Sequence, residues 1–212
     1  MPTSTSAPAL SSPMASALPA PAAIHQLHHY AYRAKDAEET RRFYEDILGL
    51  PLYHIIQSDV VPSTGEYCPY THFFFRLRDG SFIAFFDLGD DVAALPSPNT
   101  PLWVNHISFR VDTKADLQAM KDRLQAHDVE VLGITDHHIF DSIYFFDPNG
   151  VRLELTAQRA DEFQMLQESK TAHARLNEWT ARKDQWRKDR AQGKAAQPLK
   201  PQQNDRPEYK AV

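Results

Sequence analysis

Cysteine is almost missing from this chain: Cys68 is the single one among 212 residues. One thiol cannot close an intramolecular disulfide, so packing must hold the fold, and a reducing, cytoplasmic setting suits it. Long apolar runs are also lacking. No stretch approaches the roughly 20 apolar residues that cross a bilayer, so no membrane partner is expected. Positive charge is in deficit, with 23 Lys and Arg against 28 Asp and Glu, which gives no attraction to nucleic acid or anionic lipid. Residues 1–22 contain no Lys or Arg and are rich in Ala, Pro, Ser and Thr. They lack the charged start and unbroken apolar core of a secretory signal and read as a disordered leader.

What is present is a duplication. With 42% hydrophobic residues, the chain can bury one domain-sized core and carry appendages. Leu27-His28-His29-Tyr30-Ala31-Tyr32-Arg33 and Val104-Asn105-His106-Ile107-Ser108-Phe109-Arg110 share one pattern: a strand with His, a small residue and Arg on alternate positions. After the first copy, Asp36 is placed to cap a helix whose opening turn holds Glu38 and Glu39. Thr40, Phe43, Tyr44, Ile47 and Leu48 recur at helical spacing, and Gly49 then Pro51 stop the helix. Strands follow at Leu52–Ser58, Thr71–Leu77 and Phe82–Asp87. The second copy repeats that order. Thr113 and Asp116 form a capping-box-like start, and Leu117, Met120 and Leu124 mark the buried face. Strands follow at Glu130–Ile134, Ser142–Phe146 and Val151–Thr156, the last two joined by Asp147-Pro148-Asn149-Gly150.

The expected fold is therefore α+β: paired βαβββ modules, 24–88 and 103–157, forming a curled mixed sheet around a cleft. Together they make one domain, 23–158, with Pro-rich Leu95–Pro101 as the linker. Beyond it, 159–192 has the composition of a long, charged, largely exposed helix. Its Leu176, Trp179 and Trp186 are candidates for a homodimer contact or for packing on its own domain. Residues 193–212 read as a disordered tail.

Strand alternation then sorts the polar side chains by face. Aligning Gly80 with Gly150 sets Phe74 against Tyr144 and Ala84 against Glu154. Ile107, Phe109, Val151, Leu153 and Leu155 fall on the helix side. His29, Ala31, Arg33, His106, Ser108, Arg110, Arg152, Glu154 and Thr156 fall on the other. Two imidazoles and a carboxylate on that face are a donor set for a divalent metal, with His29, His106 and Glu154 as ligands. Ala84, at the fourth symmetric position, has no ligating atom. Two His and one carboxylate leave coordination positions open, which suits Fe(II); Mn, Zn, Ni and Co are compatible with the same atoms. Taken singly, each is ordinary: a strand His is more often packed than ligating, and Glu154 could be solvent-exposed or paired with Arg152 or Arg110. His28 falls on the opposite face as a packing or hydrogen-bonding residue. Phe74, Phe82 and Phe86 either line an apolar substrate site or fill a narrow cup. Arg33 and Arg110 either attract an acidic group or pair with Asp and Glu. His72 shares the cleft face by parity, with no role assigned.

His29-Tyr30-Ala31-Tyr32-Arg33, Phe43-Tyr44-Glu45-Asp46-Ile47-Leu48-Gly49-Leu50, and Tyr144-Phe145-Phe146-Asp147-Pro148-Asn149-Gly150 with Leu153-Glu154-Leu155 resemble the vicinal oxygen chelate superfamily. That superfamily comprises glyoxalase I, fosfomycin- and bleomycin-resistance proteins and type I extradiol dioxygenases. The resemblance spans about residues 24–157. It implies paired modules around a metal that small substrates chelate through adjacent oxygens. Glyoxalase-like members use four protein ligands, which Ala84 does not match. Extradiol dioxygenases use two His and one Glu, onto which His29, His106 and Glu154 fall, with Tyr144 at the place of their active-site tyrosine. Their acid–base histidine has two candidates here, His137 and His138, both closer to the tyrosine than the family spacing. The resemblance thus implies an Fe(II)-dependent extradiol-type dioxygenase acting on a small apolar or aromatic substrate. A glyoxalase-type lyase or isomerase and a metal-free, drug-sequestering binding protein are the alternatives.

Overall fold

The computed structural model describes residues 22–194. Apart from their innermost residues, the expected leader and tail lie outside the described residues.

The first module runs β1 (His29–Ala34), α1 (Ala37–Arg41), β2 (Leu52–Val60), β3 (Tyr67–Arg76) and β4 (Phe82–Asp87). Asp36 caps α1 by accepting from the Glu39 amide, as its position at the strand–helix junction predicts. Helix α1 continues through Arg42–Ile47 with π-type bonding, a widening that the 3.6-residue spacing gave no sign of. Gly49, at φ 75°, ends it, in the left-handed conformation that costs glycine least. The second module repeats the order: β5 (Ile107–Val111), α2 (Lys114–Ala126), β6 (Leu132–Asp136), β7 (Phe140–Phe146) and β8 (Arg152–Gln158). Thr113 and Asp116 form the reciprocal capping box at the start of α2. Helix α3 (Glu162–Ala191) follows, with none of its residues buried, so the expected long exposed helix is present. Among the described residues, no helix is long and apolar enough to cross a membrane.

Each module forms its own four-stranded mixed sheet, ordered β1-β4-β3-β2 and β5-β8-β7-β6. Neither closes. The register bears out the glycine alignment, because Phe74 pairs with Ala84 and Tyr144 with Glu154. Apolar residues from the helix-facing side of both sheets merge into one core containing Tyr44, Phe75, Phe85, Leu117, Leu124, Phe145 and Leu153. Burying such side chains contributes roughly 1.5–3 kcal/mol each, which makes this shared layer the main force joining the modules. Phe43 meets Phe145 ring to ring at 6.3 Å across the junction.

Polar contacts fix the angle of that junction. The Tyr44 hydroxyl donates to Asp147 Oδ2 at 3.0 Å. Asn149 accepts from the Lys35 amide at 2.8 Å and donates to Thr40 Oγ1 at 3.1 Å. Arg123 of α2 donates to the carbonyls of Ile47 and Asp46 at 2.6 and 2.7 Å, satisfying groups that the end of α1 leaves free. With the helix sides joined, the opposite sheet faces lie outside the shared core.

Candidate metal half-sites

On the second module, His106 lies one residue before β5, so it precedes the strand that alternation assigned it to while keeping that strand's facing. Its Nδ1 donates to the Val104 carbonyl at 3.0 Å, and its Nε2 stands 3.2 Å from Glu154 Oε2. A backbone carbonyl on one ring nitrogen fixes the tautomer and leaves the other nitrogen as the donor atom, the dressing usual for a metal-binding histidine. Glu154, in β8, is 4% exposed, and its Oε1 has no hydrogen-bond partner. An orphaned buried carboxylate oxygen is costly, and a cation is the partner its charge calls for.

Burial alone would push the Glu154 carboxyl up. The hydroxyls of Ser142, Tyr144 and Ser108, with His106, stand near enough to outweigh it and hold the group below the usual carboxylate range. Ser108 and Ser142 each share a hydrogen bond with the Thr156 hydroxyl, at 2.8 and 3.1 Å, so these hydroxyls form one belt around the carboxylate. Parity had set Ser108 and Thr156 on this face without a role, and Ser142 was missed. Its register partnership with Thr156 was the signal, since side chains paired across strands share a face.

Tyr144 joins the belt to His137, whose Nε2 lies 2.8 Å from the Tyr144 hydroxyl. Burial, then the neighbouring Glu154 charge, raise the phenol to about 12. The hydroxyl therefore keeps its proton at neutral pH. Arg152 lies over the Tyr144 ring, 4.5 Å from its centre. Of the two loop histidines, only His137 reaches Tyr144. His138, at φ 69°, lines a separate cavity with Arg159 and Gln164.

On the first module, His29 shares a 2.8 Å hydrogen bond with His28, Nδ1 to Nδ1, consistent with the hydrogen-bonding reading of His28. Its ring stands 5.6 Å from Phe74 and 6.0 Å from His72. His72 is 7% exposed, stacks on Phe86 at 3.7 Å, and places Nδ1 2.9 Å from the Phe85 carbonyl. Ala84 sits between Ala31 and Phe74 in the register and offers no donor. Arg33 is committed to Asp90 and to the Val92 carbonyl, which settles it as a structural pair.

His106 and Glu154 thus meet, and His29 lies on the other sheet. Among the described residues, no three His, Cys, Asp or Glu side chains in one chain stand close enough to share an ion. The cause is the packing above: the modules join through their helix sides, so one chain carries two separate donor faces instead of one closed cleft. A cavity of about 300 Å³ between the modules, lined by Tyr30, Tyr32, Asn105 and Val151, reaches His106.

A family model for the Glyoxalase/Bleomycin resistance protein/Dioxygenase superfamily matches residues 26–155, from just before β1 into β8. The chain belongs to that superfamily. Among solved structures, it is similar to a glyoxylase/bleomycin resistance protein/dioxygenase domain from Frankia sp. EAN1pec, at 18% identity and TM-score 0.54, covering 65% of this chain and 100% of that one. It is also similar to the trypanothione-dependent glyoxalase I of Leishmania major, at 16% identity and TM-score 0.50, covering 73% and 99%. At these identities the likeness concerns the fold. No curated protein matches the chain.

Proposed function

We propose that this protein is a divalent-metal-dependent enzyme of the extradiol-dioxygenase type, acting on a small aromatic substrate that chelates through adjacent oxygens. The observation that carries this reading is the pairing of His106 with a buried Glu154 whose second oxygen has no partner. His106 and Glu154 hold the ion from one side. The third ligand is His29 of a second copy, which makes the working unit a homodimer with each site shared. Two observations support this: the separation of the donor faces within one chain, and the apolar surface around His29. There Tyr53 and Ile56 are 58% and 41% exposed, beside half-buried Phe82 and Phe86, an unusual amount of uncovered aromatic surface for a sheet face.

A divalent ion in this set, Fe(II) before Mn, Zn, Ni or Co, supplies Lewis-acid polarisation of two adjacent oxygens. The chain's own residues do the rest. Glu154, held ionised by its hydroxyl belt, supplies negative charge. Tyr144 keeps the proton on its hydroxyl and donates it as a hydrogen bond to the substrate, and His137, with Nε2 2.8 Å from that hydroxyl, serves as the acid–base group beside it. The aromatic wall of the first module excludes water from the ring being cleaved.

The test is anaerobic purification, metal analysis, and oxygen uptake with a panel of catechols. His106→Ala and Glu154→Ala should each lose the metal while keeping native circular dichroism. Unchanged metal content in either variant overturns the site. Isomerisation of hemithioacetals without oxygen uptake would replace the oxygenase reading with a lyase or isomerase one.

A further inference from the structure

His72 is a buried imidazole for which the proposed chemistry has no use. Its Nδ1 faces the Phe85 carbonyl at 2.9 Å. A carbonyl oxygen can only accept, so Nδ1 carries the proton, and in the neutral ring Nε2 is left as a lone-pair acceptor. Stacking on Phe86 at 3.7 Å, with planes 5° apart, fixes the ring's orientation. Register places His72 opposite both Phe86 and Ile56, hence on the His29 face. Among the described residues no side-chain or backbone hydrogen bond to Nε2 is present, and that atom is not closed off from solvent.

An acceptor held in one tautomer and orientation must be given a donor by any ligand that covers it, or be left unpaired. The surroundings say what that is. His29 is 6.0 Å away, ring to ring, and Phe74 is 4.2 Å away. An imidazole nitrogen binds its metal at about 2.1 Å, so a substrate chelated to an ion on His29 lies within reach of His72. The Phe74 and Phe86 rings admit a flat aromatic body there.

Resting on the proposed function, we propose that His72 is a specificity-determining residue: its Nε2 accepts a hydrogen bond from a hydroxyl or amine that an aromatic substrate carries next to its chelating oxygens. Such a site rejects analogues lacking the donor, because the acceptor is then buried unpaired.

The test uses the metal-loaded protein under anaerobic conditions, titrated with two probes of similar size, pyrogallol and 3-methylcatechol. Wild type should bind pyrogallol roughly three- to tenfold more tightly, the range of one hydrogen bond. His72→Phe, which retains the stack on Phe86, should bind both equally with its metal content unchanged. His72→Gln, which offers an amide oxygen, should restore part of the preference. Equal weakening of both probes in His72→Phe would make His72 a packing residue, and loss of metal would make it a ligand; either overturns the proposal. A preference that survives in His72→Phe, or equal binding by wild type, also overturns it and leaves the metal site standing. Metal binding without affinity for either catechol removes the proposed function and this inference together.

Discussion

The Tyr44 hydroxyl, from the helix of the first module, meets the carboxylate of Asp147, from the last turn of the second, deep inside the core. Asp147 also accepts from the amides of Asn149 and Val151 at 2.9 and 2.7 Å, and from Asn149 Nδ2 at 3.1 Å. A buried acid with four donors is a joint between modules. Removing one partner leaves the others under-satisfied, so Tyr44→Phe should cost about 1–3 kcal/mol of unfolding free energy by urea titration, with metal retention unchanged.

The same joint gives a pH dependence of defined sign. Burial outweighs the four donors and raises Asp147 from 3.8 to about 6. Below pH 4 the group is neutral in both the folded and the unfolded chain, and its contribution is fully present. Between pH 4 and 6 the unfolded chain ionises first, so stability falls as pH rises, then levels off above 6. The loss amounts to roughly 3 kcal/mol, since each tenfold difference in acidity between the folded and unfolded chain is worth about 1.4 kcal/mol. The difference between wild type and Asp147→Asn, followed by urea midpoints from pH 3.5 to 7.5, should trace that step. A flat difference would mean that the carboxyl ionises alike in the folded and the unfolded chain.

If the site is shared between copies, charge on the apolar face of the first module should separate them. Ile56 lies opposite His72 in the register and is 41% exposed. Ile56→Glu should halve the mass measured by sedimentation equilibrium and weaken metal binding more than tenfold, with circular dichroism unchanged. A monomer that holds metal as tightly as wild type would show that one chain completes the site alone.

Helix α3 should contribute little to the domain. None of its 30 residues is buried, and the nearest anchor precedes it, where Arg159 and Lys114 flank the buried Asp141 carboxylate at 3.6 and 3.3 Å. A chain ending at Asp161 keeps that anchor. Its unfolding free energy should stay within about 1 kcal/mol of the full chain, in keeping with the small effect of changes to exposed surface.

These residues also mark how far the sequence could be read. Caps at Asp36 and Thr113, the stop at Gly49 and the pairing of the modules were legible because each depends on a few neighbouring residues and one alternation rule. So was the meeting of His106 with Glu154, since β5 and β8 belong to one module. Where His29 sits relative to that pair was not legible. It depends on which module faces join, and apolar residues such as Phe43 and Phe145 look alike whether they face their own sheet or the other one. Which of His137 and His138 reaches Tyr144 was hidden for a different reason. Both lie in a loop, where alternation gives no direction, and only the backbone at His138 turns that side chain from Tyr144.

Arg123 has an implication for how the polypeptide is made. The carbonyls of Asp46 and Ile47 depend on a guanidinium that follows them by more than 70 positions. While the ribosome is still extending the first half, those oxygens have only water as a partner. The end of the first helix therefore gains its final bonds only after the later half has emerged, and a nascent first half released early would lack its finished edge.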